Sequence, residues 1–248
     1  MNLRFGHRTI RLRPFDALLL LAAVGGVALF VRLGFWQIDR AGEKRALLEQ
    51  YAAGQQSTEA LLPGRLSVLP RYQHVNVRGH YDATHQILLD NMPSGQGQPG
   101  YRVLTPFESD SGELLLVDRG WVPLGMSRAV LPQIGVESNA RTVVGRVDEL
   151  PQAGIRLGER PGNAAASWPR VMSFPRHEDI EQALGKTVVP RRVLLDPEQP
   201  DGYQRTAGLH LDFGPSRHIA YAVQWFALAV LVIAMLVVVV LKAPQLRP

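Results

Sequence analysis

The chain contains no cysteine. That excludes thiolate-held zinc or iron–sulfur centres, CxxCH haem attachment, disulfide staples and thiol copper relays. The serine-hydrolase elbow GxSxG, the zincin HExxH and the P-loop are also missing. No nucleophile-elbow, zincin or P-loop motif therefore marks the chain as an enzyme. A large excess of one charge is absent too: the net charge is +5 over 248 residues. Part of that excess sits at Arg4, Arg8, Arg11 and Arg13, where membrane lipid is a nearer partner than nucleic acid.

What the chain does have is two long apolar runs. Ile219 to Leu241 carries no charge and spans about 34 Å as a helix, enough to cross a bilayer. The first run is shorter, with only Ala17 to Val31 free of charge, about 22 Å of helix. It reaches spanning length by recruiting Leu33 to Trp36, with Arg32 snorkelling and Trp36 in the interface. A secretory signal peptide is the rival reading, but Phe30 to Leu33 offers no small-x-small cleavage site. Arg and Lys flank both runs equally, so charge alone leaves the pair unoriented. Ala22 and Gly26 form a small-xxx-small face on which the second helix can dock.

Between the runs the pattern changes. Residues 38–53 continue as a polar helix, and Leu62-Pro63-Gly64 ends that region. Strands are predicted at 74–78, 86–90, 101–107, 114–117, 142–148, 170–174 and 188–196. One helix, Arg176 to Leu184, has Pro175 before it and Gly185 after it, and 154–169 reads as a loop. The fold class is α+β: two transmembrane helices bracketing an antiparallel-rich β domain with one or two helices.

His218 stands at the mouth of the second run. At 100° per residue, His218, Tyr221, Ala222, Trp225 and Ala229 share one helical face, with Gln224 flanking Tyr221. Three readings of that face stand. It is an interfacial aromatic belt, a packing face for the first helix, or a haem wall with His218 as metal ligand and Arg217 pairing a propionate. His74, His80 and His85 are too far apart along a strand to hold one ion, and read as solvated or sheet-packed. LLLVDRGWVP (114–123) reads as a core strand ending in an Asp118–Arg119 pair, a turn glycine and a buried Trp121.

Three segments, GFWQIDRAGEKRALLEQ (34–50), GYRVLTPF (100–107) with LLLVDRGWVP (114–123), and RHIAYAVQWF (217–226), resemble the surfeit locus protein 1 family. That resemblance covers nearly the whole chain and implies a cytochrome c oxidase assembly factor, a chaperone and not an enzyme. It implies haem a as cofactor, with His218 as the matching ligand position; Arg217, Tyr221 and Trp225 join it as cofactor-binding candidates from their place on the helix face. A cofactor-free scaffold for the nascent oxidase subunit is the alternative. The implied partners are the haem-bearing subunit of the terminal oxidase and the haem a synthesis machinery. The implied layout in the cell inner membrane is a cytoplasmic basic tail (1–14), a first span (15–36), a periplasmic domain (37–217), a second span (218–241) and a cytoplasmic tail (242–248).

Overall fold

The computed structural model describes residues 2–5, 8–11, 14–55, 58–152, 167–205, 208–209, 211 and 213–242. The loop expected at 154–169 lies outside them except for its last three residues, and so does the tail beyond Lys242. The chain divides into two compact units, Met1–Leu47 with Leu211–Pro248, and Leu48–His210.

The first unit is a pair of long helices. Where a plain basic tail was expected, strands β1 (Asn2–Phe5) and β2 (Arg8–Arg11) pair antiparallel. Helix α1 runs from Pro14 to Ala53 and helix α3 from Pro215 to Lys242. Both begin on proline, whose missing N–H costs nothing at a helix start. Each is long and apolar enough to cross a membrane. The expected first span and the polar helix after it are one continuous 40-residue helix, about 60 Å long. No proline falls inside it to break the ladder.

The two helices meet through a seam different from the one expected. Ala22 is exposed, and nothing lies within 4 Å of where a Gly26 side chain would begin. Close approach occurs instead at Gly34, where an added Cβ would meet the Phe226 ring at 2.6 Å. Phe30 stacks on Trp225 with ring centroids 5.7 Å apart, and Phe35 meets Phe226 edge-on at 5.4 Å. Small residues opposite aromatic rings suit a bilayer, where packing takes over from the hydrophobic effect as the driving force.

The second unit is a barrel with additions. Its strands are β3 (Thr58–Ala60), β4 (His74–Tyr81), β5 (Ile87–Leu89), β6 (Gly100–Ser109), β7 (Leu114–Pro123), β8 (Arg141–Asp148), β9 (Arg170–Met172) and β10 (Arg192–Leu195). Five of them close a ring in the order β4–β8–β10–β7–β6, and β6 returns to β4 through Gly79–Ser109 to Tyr81–Phe107. All ring contacts are antiparallel except β7–β10, giving a five-stranded Greek-key barrel of the OB class. Strand β3 extends the sheet parallel to β4, and β5 and β9 extend it beyond β6.

The alternation read from sequence fills this ring. Val75 and Val77, Leu115 and Val117, Val143 and Val147, and Val193 and Leu195 point into one core with Tyr81 and Phe107. Gly145 takes the place of an inward side chain in β8, because a Cβ there would collide with the Leu194 carbonyl and Val193. Leu114 and Leu116 face outward, where Ile180 of helix α2 (His177–Leu184) covers them with Ile87 and Leu104. Helix α2 begins with the Asp179 carboxylate accepting from the Arg176 backbone N–H, and ends at Gly185 in the left-handed region, φ 64°. Strand β10 is shorter than expected because Pro190 has no N–H for the ladder.

Strand β7 runs further than expected, through Asp118–Pro123. Gly120 is not a turn residue. It sits within the strand at φ 108°, where the carbonyl of Gln204 and the side chain of Arg205 approach too closely for a Cβ.

Candidate functional site

Helices α1 and α3 bring Gln37 and His218 together. His218 Nδ1 lies 2.7 Å from Gln37 Oε1, and Gln37 is only 9% exposed. An amide oxygen only accepts, so the contact suits a ring with its proton on Nδ1. The tautomer of that kind carries its lone pair on Nε2.

One aromatic ring lies beside this imidazole. Phe213 is 6.3 Å from it by centroids, and the Arg217 guanidinium lies over the Phe213 ring at 5.0 Å. Of the residues expected on this face, His218 bonds to α1, Trp225 stacks on Phe30, and Ala222 and Ala229 are buried. Tyr221 departs from them, 43% exposed, and Gln224 is exposed as well. Sequence reading missed Gln37, Phe30 and Phe213. The phase of α1 carried a usable signal for two of them, since Phe30, Gly34, Gln37 and Ala41 recur at i, i+4, i+7 and i+11 on one face.

The barrel holds a second concentration of charge, arranged differently from the expected Asp118–Arg119 pair. Neighbours in a strand point to opposite faces, and these two never meet. Asp118 is completely buried and accepts from Arg102 Nε at 2.7 Å and Nη2 at 2.9 Å, Arg192 Nη1 at 2.6 Å and the Gly120 N–H at 3.0 Å. Arg192 continues to Asp148 at 2.8 Å, and Asp148 to Arg71 at 2.6 Å. Burial alone pushes the Asp118 carboxyl up, but the guanidinium groups of Arg102 and Arg192 outweigh it and hold it below the usual carboxylate range.

Arg119, 1% exposed, takes the other face. It donates to Gln86, Thr105 and the carbonyls of Ile134, Gly135 and Asp201. Tyr81 and Tyr203 flank its guanidinium at 5.7 and 5.0 Å. Burial lowers its pKa from the ordinary arginine value. Every acceptor here is neutral, so this arginine works as a clamp joining three loops to the barrel wall. Trp121 is buried as expected, its indole N–H donating to the Met92 carbonyl at 2.8 Å.

His80 is exposed, and His74 and His85 have separate partners. His74 Nε2 lies 2.5 Å from Asp196 and its Nδ1 2.6 Å from the Thr58 hydroxyl, while His85 bonds to Asp82 at 2.7 Å. Gly95, Gly97 and Gly100 have the G-x-G-x-x-G spacing. They lead from a loop into β6 and not into a helix, so the helix N-terminus that makes this motif a phosphate site is missing there.

Two helices apolar and long enough to cross a membrane, a polar contact where the second of them begins and a closed β barrel between them in the sequence point to a membrane protein that carries a barrel domain. The SURF1 family matches residues 24–230. A SURF1-like protein of Rickettsia felis is 25% identical over 221 residues, covering 85% of this chain and 91% of that protein. One from Rickettsia bellii is 34% identical over 94 residues, 38% of this chain and 39% of that protein. An uncharacterized SURF1-like protein of Mycobacterium tuberculosis is 28% identical over 177 residues, 70% of this chain and 62% of that protein. The chain belongs to the SURF1 family, the cytochrome c oxidase assembly factors, which is not a family of enzymes.

Proposed function

We propose that this chain binds haem a at the start of α3 and supports its insertion into the haem-bearing subunit of the terminal oxidase. The observation that carries this reading is the His218–Gln37 bond of 2.7 Å. It leaves an imidazole Nε2 with an available lone pair at the end of an apolar helix pair. His218 would hold the iron, whose redox chemistry is what the group would supply. Phe213 supplies apolar ring surface beside His218, Trp225 supplies more about two turns further along the same helix face, and Arg217 is the cation for a propionate. Tyr221, being exposed, is free to contact the group or the receiving subunit.

In this reading the barrel domain is periplasmic, both termini are cytoplasmic and the inner membrane holds α1 and α3. The haem a synthesis machinery is the upstream partner. The test is co-expression with a haem a pathway, followed by absorption spectra of the purified protein and its His218→Ala variant. The wild type is expected to carry haem and the variant to lose it. Equal haem content in the two proteins sinks the ligand assignment, and a wild type purified without haem leaves a cofactor-free scaffold.

A further inference from the structure

We infer that Gln37 is a positioning residue for the haem ligand: its amide oxygen fixes the His218 tautomer and sets how strongly Nε2 donates to iron. This rests on the proposed haem reading and adds to it a residue from the other helix. Gln37 is buried in α1 and reaches His218 across 181 positions of sequence. Free histidine divides its proton between two nitrogens. A buried acceptor 2.7 Å from Nδ1 selects the form with the proton on Nδ1, the only neutral form that ligates through Nε2.

The same bond polarises the ring. Partial transfer of the Nδ1 proton toward its acceptor makes Nε2 more basic, and partners of this kind typically change metal affinity by 10–100-fold. A neutral amide gives a moderate push. A carboxylate in its place pulls harder on the proton, enriches the ligand and favours ferric over ferrous iron. For a protein that must release its cargo, a moderate ligand is the chemically sensible setting. Gln37 also ties α1 to α3 where both helices hold aromatic rings, so the bond orients the ring plane as well as its proton.

Three measurements on the full chain test this. The first is ¹⁵N NMR of histidine-labelled wild-type protein without haem, with His218 assigned by difference from His218→Ala. The signal is expected to show the proton on Nδ1, and the opposite tautomer overturns the inference whatever the variants do. The second is titration of Gln37→Leu with haem a, expected to bind about 10-fold or more weakly than wild type. The third is Gln37→Glu, which keeps an acceptor. It is expected to restore binding and shift the haem midpoint potential downward relative to wild type. A role limited to holding the helices together predicts no such shift, so an unchanged potential refutes the positioning role. Retained haem in His218→Ala would instead sink the ligand assignment on which the role of Gln37 rests. Loss of haem there, with both Gln37 variants matching wild type, would sink only the role of Gln37.

Discussion

Replacing Asp118 with alanine is expected to be among the most damaging single changes in the barrel. Removing one partner from a buried ion pair typically costs about 3–5 kcal/mol, because the remaining charge is left uncompensated. Two features place this case near the lower end. Arg192 keeps its bond to Asp148 at 2.8 Å, and the Arg102 side chain is 32% exposed and regains water. A loss of about 3 kcal/mol is large against a typical total of about 5–15 kcal/mol. For a domain of this size it corresponds to a fall in Tm of about 6–12 °C. Thermal unfolding of the detergent-purified protein, followed by far-UV circular dichroism, reads this directly. The pH dependence supplies a second check. The folded pKa of Asp118 lies below its ordinary 3.8, so the stabilisation is complete above 3.8 and disappears as the pH falls through the folded value. The gap between wild type and Asp118→Ala should therefore narrow in strong acid. A fall in Tm below about 2 °C at neutral pH, or a gap that grows on acidification, would refute the reasoning.

Gly34→Leu should push the helices apart, since even a Cβ meets the Phe226 ring at 2.6 Å, and overpacking of this kind costs about 1–3 kcal/mol. Because the chain has no native cysteine, a disulfide between Phe30→Cys and Trp225→Cys reports the separation; efficient cross-linking despite leucine at 34 would count against the seam. Gly145→Val should break the β8–β10 ladder at Leu195–Gly145, seen as faster amide exchange of the Val193–Leu195 backbone; wild-type protection would mean the strands can part without cost. Arg119→Leu strands several buried acceptors at about 1–3 kcal/mol each, so limited proteolysis should cut first in the 134–135 and 201–203 loops. Cleavage sites unchanged from wild type would remove Arg119 from its role as a clamp.

Much of this fold could be read in the sequence because its determinants are local. An uncharged run from Ile219 to Leu241 needs no partner to declare itself a helix for a bilayer, and Pro175 and Gly185 bracket α2 through backbone chemistry alone. The alternation in 74–78 and 142–148 marks strands for the same reason. What escaped was relational. Nothing near Asp118 in the chain points to Arg102 or Arg192 as its partners; that follows from the register of β6 and β10 on either side of β7. Reading Asp118 and Arg119 as a pair failed on strand geometry, which sends adjacent residues to opposite faces. The docking face at Ala22 and Gly26 failed because small residues are common in membrane helices, and only contact with a particular ring, Phe226, distinguishes Gly34. His218 could be singled out from the cost of an imidazole beside an apolar run. Its partner could not, since Gln37 is an ordinary residue until the second helix lies against the first.

The separation of Gln37 and His218 along the chain also imposes an order in time. At typical rates of synthesis, the 181 positions between them take about 10–35 s to emerge. During that interval α1 exists without α3, while the β strands are made and the barrel closes with the late arrival of β10. The imidazole is captured only after that, by an amide that has waited since the beginning. A nascent chain that stalls anywhere before residue 218 therefore lacks this bond between α1 and α3, whatever the strands between them have already formed.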